Sequence, residues 1–207
     1  MDLKHFGDSY DVVKKSLLQW LSVFGPWAVH PMFTHAVTDQ DAAAFSKFLG
    51  VKLVSTEVLV ANSDRRAYLA ACGDCRSIFL DPDTGVRLRP RGPKDSMKYI
   101  YSDELLKIAA ARPQGLVLTF DQSLARGSEP AQVRAKLDDF LARGLNGFAY
   151  VSHASFLVLG QSDALVAQAR DRLLAASGLP ASRVAIATAP NKGLQPAATG
   201  MIMSRGV

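Results

Sequence analysis

A chain of 207 residues, 48% of them hydrophobic and 21% charged, has the length and composition of a globular protein with a proper core. Its net charge of +5 allows a polyanionic partner, such as nucleic acid or another phosphate-bearing ligand, without requiring one. The sequence contains no apolar run long enough to cross a membrane, and its first residues lack the apolar core of a signal peptide. These features argue against a membrane partner and predict a cytoplasmic location.

The two cysteines form a single CxxC motif, Cys72 to Cys75. A redox CxxC normally opens a helix after a strand, whereas this pair follows a helical pattern and precedes a strand. A structural zinc site needs four ligands, and no second pair with suitable spacing is present. The motif therefore favours reduced, partly buried thiols.

Helical and strand patterns alternate along the chain, punctuated by capping residues, glycine and proline. Helices are predicted over 10–24, 38–50, 63–72, 102–112, 129–143 and 163–177. Strands are predicted over 27–29, 51–54, 77–80, 115–120, 147–151, 156–159 and 183–187, with a weaker one at 99–101.

This alternation predicts an α/β protein with a three-layer, Rossmann-like architecture and a mainly parallel sheet. The strand at 156–159 follows 147–151 too soon for a helical crossover, so the two are expected to form an antiparallel hairpin near the C-terminus. The patterns leave open whether strand 156–159 lies inside the sheet or at its edge. We expect residues 1–189 to form one domain and the Gly/Pro-rich residues 190–207 to form a flexible tail.

Ionisable side chains follow four of the strongest predicted strands. Because the carboxyl ends of parallel strands meet at one edge of a sheet, these side chains are expected to lie near one another. They are His30, Asp81 with Asp83, Asp121 and His153. Polar residues are common just beyond strands, so a turn at Asp81 followed by a solvated loop is the simpler interpretation.

Aspartate side chains at such an edge suit a magnesium ion, which binds a few carboxylates together with water and phosphate oxygens. On this hypothesis Asp81, Asp83 and Asp121 are metal ligands, and His153 is a general acid or base. Substrate phosphate would contact a basic segment and the first strand end, through Arg87, Arg89, Arg91, Lys98 and His30. The alternative for His153 is a core imidazole hydrogen-bonded at a strand turn.

Several common catalytic and nucleotide-binding motifs are absent from the sequence. It has no GxGxxG after a strand and no GxxxxGK[ST], which excludes nucleotide sites of those designs. It also lacks the GxSxG nucleophile elbow and the HExxH zinc helix.

The segment from Phe79 to Gly85, FLDPDTG, together with Ser96–Tyr99 and Phe120–Ser123, resembles a set of uncharacterised bacterial and phage proteins. Those proteins carry F-x-D-P-D-[NT]-G followed by a basic S-x-K-[YH] segment. More distantly, a strand followed by Asp81 and Pro82 resembles the D-P-P turn of Rossmann-like methyltransferases that act on amino groups of bases. That resemblance implies adenosylmethionine as cofactor and a turn that holds the target amine. Asp83 replaces the second proline, and the loop after the first strand lacks the family's glycines.

Three hypotheses remain open from the sequence. The first is a magnesium-dependent enzyme acting on phosphodiesters or nucleic acid. The second is a methyltransferase-related protein, and the third is a non-catalytic nucleic-acid-binding or assembly protein.

Overall fold

The computed structural model describes residues 1–73 and 75–188, and it has the α/β architecture expected from the sequence. The predicted tail, residues 190–207, lies outside the described residues. The helices are α1 (Ser9–Trp20), α2 (Asp39–Leu49), α3 (Arg65–Ala70), α4 (Ser102–Ala110), α5 (Glu129–Ala142) and α6 (Asp163–Ser177). The strands are β1 (Trp27–His30), β2 (Lys52–Leu53), β3 (Ser77–Leu80), β4 (Gly85–Arg87), β5 (Tyr99–Tyr101), β6 (Val117–Asp121), β7 (Asn146–Val151), β8 (Ser155–Gly160) and β9 (Val184–Ile186).

Seven strands form one sheet in the order β2-β1-β3-β6-β8-β7-β9. The pairs β1–β2, β1–β3 and β3–β6 are parallel, whereas β8 is antiparallel to both β6 and β7. The predicted C-terminal hairpin is thus confirmed, and β8 lies inside the sheet. After β2 the chain crosses to the other side of β1, so the strand order reverses between β1 and β3. Such a switch point opens a crevice beyond the carboxyl ends of the two strands.

Helices cover both faces of this sheet. Phe79 packs in a core with α1, α2 and α6, and its neighbour Ile78 packs in a second core with α3, α4 and α5. Successive residues of a strand point to opposite faces, so a fully apolar strand such as β3 is what a sheet covered on both sides requires. The three-layer expectation is confirmed.

Local capping signals set most helix boundaries. The Asp8 side chain accepts hydrogen bonds from the amides of Tyr10 and Asp11 at the start of α1. Gly50 ends α2 in the left-handed region, with φ 73°. The first predicted helix is shorter than expected: α1 stops at Trp20, and a separate 3₁₀ turn covers Ser22–Phe24.

One strand, β4, was missed by the sequence patterns, which predicted a turn and a basic loop there. It pairs in parallel with β5 to form a small second sheet beside the main one.

Both cysteines are free thiols, and burial raises the pKa of Cys72 to about 12. None of the helices in the described ranges is long and apolar enough to cross a membrane.

Candidate functional site

The side chains expected at the carboxyl edge of the sheet do end up at that edge. Strands β1, β3, β6 and β7 run in the same direction, and His30, Asp81, Asp121 and His153 lie at or just beyond their ends. Their surroundings differ sharply, however, and only part of the predicted set faces a cavity.

A cavity of about 260 Å³, here called the switch-point cleft, lies beyond the ends of β3 and β6, next to the point where the strand order reverses. Its wall contains the aromatic rings of Tyr10 and Phe120, the side chains of Lys14 and His5, and Met1 with its N-terminal amino group. Its acidic lining comes from five aspartates, namely Asp2, Asp8, Asp11, Asp81 and Asp83. Carboxylates therefore dominate the charge of the cleft.

A buried ion-pair network forms the floor of this cleft. The Lys14 Nζ donates to Asp81 Oδ2 at 2.8 Å and to Asp11 Oδ1 at 3.0 Å, and all three residues are at most 5% exposed. The same ammonium lies 5.1 Å from the centre of the Phe120 ring. The Lys14 ammonium thus lies between two carboxylates, and the Met1 amino group, whose pKa burial lowers to about 6, also interacts with Asp81.

The pKa directions in this network follow from burial and pairing. Burial would lower the pKa of Lys14, but the charges of Asp81 and Asp11 outweigh it, so the pKa is raised and Lys14 stays an ammonium. Burial raises the pKa of Asp81, and the ammonium of Lys14 opposes that shift. Asp81 is thus already bound to an amine supplied by the protein itself.

Asp83 differs from Asp81, although only Pro82 separates them. It lines the cleft, is partly exposed, and its carboxylate accepts one long hydrogen bond, 3.4 Å from Thr84 Oγ1. Of the aspartates predicted from the sequence, Asp83 is therefore the one best placed to contact a ligand.

Asp121, by contrast, is fully buried and held by the protein. It accepts hydrogen bonds from the Val86 amide at 3.0 Å, from Ser123 Oγ at 2.6 Å and from Lys136 Nζ at 2.6 Å. Lys136 also donates to the Val86 carbonyl and to Ser123 Oγ, both at 2.8 Å. This arrangement fastens β4 onto β6 and α5, and it keeps Asp121 out of the cleft lining.

The segments 79–85, 96–99 and 120–123, which the sequence singled out as a motif, make direct backbone contacts with one another. The Thr84 amide donates to the Lys98 carbonyl at 2.8 Å, and the Gln122 amide donates to the Thr84 carbonyl at 2.9 Å. Gly85 has φ 142°, and an added Cβ would lie 2.2 Å from Asp121 Oδ1. The motif thus has a structural reason: it locks the turn that carries Asp81 and Asp83 against the end of β6.

His30 is fully buried and both of its ring nitrogens are used internally. Nδ1 accepts the Met32 amide at 3.3 Å, so Nε2 is the protonated nitrogen and donates to the Tyr68 carbonyl at 3.2 Å. Burial lowers the pKa of His30 to about 4, which keeps the ring neutral. His30 lines neither this cleft nor the cavity next to it, and it supports a turn in which Met32 has φ 48°.

His153 is exposed in the turn between β7 and β8, so the interpretation as a core imidazole is wrong. It lines a second cavity, of about 630 Å³, with Arg126 and Glu129. Tyr10 and Gln122 line both cavities, and the Gln122 Nε2 donates to the Tyr10 hydroxyl at 2.8 Å between them. His153 therefore belongs to the neighbouring cavity and not to the switch-point cleft.

The four basic residues expected to bind phosphate line neither cavity. Arg87 forms an ion pair with Asp95 at 2.8 Å and stacks on the Tyr99 ring at 4.0 Å. Arg89, Arg91 and Lys98 are exposed on the segment between β4 and α4. These exposed cations thus lie outside the lining of the acidic cleft.

Within the described residues, no three His, Cys, Asp or Glu side chains are grouped so that they could hold a metal ion. The structure thus does not bring Asp81, Asp83 and Asp121 together as a ligand set. Sequence patterns also missed Lys14 and Asp11, which they placed only as helix residues. The available signal was their spacing of three residues on α1, which puts them on one side of the helix.

Comparison with protein-family models, with curated proteins and with solved structures found no match to this chain.

Proposed function

We propose that this protein binds an amine-bearing organic cation in the switch-point cleft, through a turn related to that of the Asp-Pro methyltransferases. The observation that carries the proposal is the lining of the cleft: five aspartates and two aromatic rings surround it. Carboxylates and aromatic faces both attract ammonium groups. Lys14, which lies against Asp81 and the Phe120 ring, is an internal example of the same interaction.

Two features favour an organic amine over the alternatives. A phosphodiester would meet five carboxylates in the cleft, while the cations predicted to bind phosphate, Arg87, Arg89, Arg91 and Lys98, lie outside its lining. A magnesium ion needs several oxygen ligands around one point, and the described residues offer no such group of three. Asp83 is proposed as the carboxylate that contacts the amine. The buried ion pair between Asp81 and Lys14 at the floor of the cleft would hold the turn in place.

The residues fit only the amine-holding half of a methyltransferase site. In those enzymes, glycines after the first strand let adenosylmethionine approach the backbone. Here the buried Met32 occupies that loop, and the Met1 amino group donates to its carbonyl at 2.6 Å. The loop does not fit a close approach of the cofactor, so we derive no methyl-transfer step.

The test is calorimetric titration with phenethylamine, and with 2-phenylethanol and phenylacetate as neutral and anionic counterparts. We expect phenethylamine alone to bind, and Asp83→Asn to weaken it about tenfold, the effect of losing one charge-assisted hydrogen bond. Asp171→Asn, on the exposed face of α6, is the matched control and should leave affinity unchanged. Equal affinity for 2-phenylethanol would contradict the proposal.

Magnesium and adenosylmethionine, each added alone, complete the experiment. Binding of magnesium that disappears in Asp83→Asn would instead favour the metal-dependent enzyme. Tight binding of adenosylmethionine would show that the loop at Met32 rearranges and would restore the methyltransferase hypothesis.

A further inference from the structure

A groove between α3 and α4, separate from the switch-point cleft, combines apolar and cationic side chains in its lining. One stripe from each helix forms it, with Arg66, Leu69 and Ala70 on α3 and Lys107, Ile108 and Ala111 along α4. Residues three and four apart lie on one side of a helix, so each stripe faces the groove along its length. Its volume of about 490 Å³ is in the range of pockets that bind small molecules.

The charged residues of this groove are mostly cations. Arg65 is paired with the one acidic residue of the lining, Glu104, through two contacts of 2.7 Å. The remaining three, Arg66, Lys107 and Arg112, form no ion pair with any residue in the described ranges. The groove therefore has an excess of positive charge over an apolar floor.

Arg112 is the buried member of this set. It is 5% exposed and donates to the carbonyls of Ile108, Cys72 and Gly73 at 2.7 to 2.8 Å. Its Nε–H is buried and has no acceptor among the described residues. Its partners in the described ranges are thus carbonyls and the Cys75 sulfur, at 3.6 Å, and a buried guanidinium with neutral partners is stabilised further by a nearby anion.

We propose that the groove between α3 and α4 binds an amphipathic anion, with an apolar body against Leu69 and Ile108 and its charged group near Arg66 and Lys107. Charge complementarity selects this ligand class. It also disfavours the C-terminal segment of this chain as the occupant, because residues 189–207 contain Lys192 and Arg205 and no acidic residue. The proposal does not depend on what the switch-point cleft binds.

Calorimetric titration of the whole chain with octyl phosphate tests the proposal, with inorganic phosphate and octyltrimethylammonium as comparison probes. We expect octyl phosphate to bind at least about tenfold more tightly than either, since each comparison probe lacks one of the two required features. The double variant Arg66→Glu/Lys107→Glu should weaken octyl phosphate at least about tenfold, which corresponds to one charged hydrogen bond or more.

Two further variants keep the outcome interpretable. Lys47→Glu, on α2 across the sheet, is exposed and should leave binding unchanged. Ala111→Phe fills the groove without changing charge and should weaken octyl phosphate while circular dichroism stays native. Absence of octyl phosphate binding, equal binding of octyltrimethylammonium, or unchanged affinity in the double variant would overturn the proposal.

Discussion

At the scale of single residues, the burial of a titratable group decides what it can do. His30 keeps a neutral ring because its Nδ1 must accept the Met32 amide and because burial disfavours the charged form. Asp83 remains available at the cleft because, within residues 1–73 and 75–188, a single weak hydrogen bond reaches its carboxylate. Residues of the same type at one sheet edge therefore have different roles.

The neutral state of His30 predicts a pH dependence of stability. Its pKa falls from 6.5 to about 4 on folding, so the unfolded chain binds the extra proton first as the pH drops. Stability should be full above pH 6.5, fall between 6.5 and 4 by about 3 kcal/mol, and then level off for this group. Urea unfolding across that range measures the slope.

His30→Gln is the variant that should remove this contribution to the slope. An NMR titration of the imidazole provides an independent measurement. A His30 ring that titrates near its ordinary value of 6.5 would show that the buried, neutral arrangement is incorrect.

Gly85 provides a second prediction at this scale. Gly85→Ala would place a methyl group 2.2 Å from Asp121 Oδ1 and 2.9 Å from the Gln122 amide nitrogen, at φ 142°. We expect a loss of more than about 3 kcal/mol in the free energy of unfolding. Gly144→Ala is the control, because φ there is 79° with open space around it, and should cost about 1 kcal/mol. Similar losses at the two sites would refute the close packing at Gly85.

At the scale of elements, the small sheet of β4 and β5 depends on polar contacts with its neighbours. β4 has three residues, and its central residue, Val86, donates its amide to Asp121 and accepts from Lys136. A strand this short is held mainly by such tertiary contacts. The turn that presents Asp83 directly precedes β4. The hydrogen bonds that Asp121 accepts from Val86 and Lys136, here called the Asp121 clamp, therefore also position this turn at the cleft.

Lys136→Met should therefore loosen this element. The change leaves the Asp121 carboxylate buried with fewer donors, which costs about 3 to 5 kcal/mol when a buried pair is broken. Hydrogen exchange should accelerate most at the amides of β4 and β5. Lys52→Met, at an exposed position of β2, should change neither the free energy of unfolding nor the hydrogen-exchange rates measurably. Unaltered protection of the Val86 amide in Lys136→Met would contradict the proposed role of Lys136.

At the scale of the whole molecule, charge is divided between surfaces. The chain carries a net charge of +5, yet its switch-point cleft is acidic. Three exposed cations, Arg89, Arg91 and Lys98, follow β4 within about a dozen residues and lie outside the lining of the cleft. In general, a basic surface segment attracts polyanions and an acidic cleft attracts cations.

Under the hypothesis of a nucleic-acid partner, duplex DNA should associate with the segment that carries Arg89, Arg91 and Lys98. The triple variant Arg89→Gln/Arg91→Gln/Lys98→Gln should reduce the salt dependence of binding, with the log–log slope falling by about 0.9 for each DNA phosphate that the protein no longer neutralises. Fluorescence anisotropy at several salt concentrations measures the slope. A control triple variant removes the same charge elsewhere, with Lys47→Gln, Lys52→Gln and Arg172→Gln. It should keep a steeper salt dependence of DNA binding than the first triple variant. Equal slopes in the two variants would mean that only net charge matters.

The local patterns of the sequence determined the elements and the edge at which the candidate residues lie. Capping by Asp8 and Thr38, the left-handed Gly50 and the apolar run of β3 act within a few residues, so they can be predicted without knowledge of the fold. The order of helices and strands then implied a parallel sheet with its carboxyl ends together.

Only the tertiary structure decided which of those residues could meet a ligand. Lys14 of α1 reaches Asp81 across 67 residues of chain, and Lys136 of α5 occupies Asp121. Such pairings depend on how the layers pack, and no spacing along the sequence specifies them. For the same reason β4 was missed: its stability comes from partners distant in the chain, because burial and ion pairing are properties of the assembled fold.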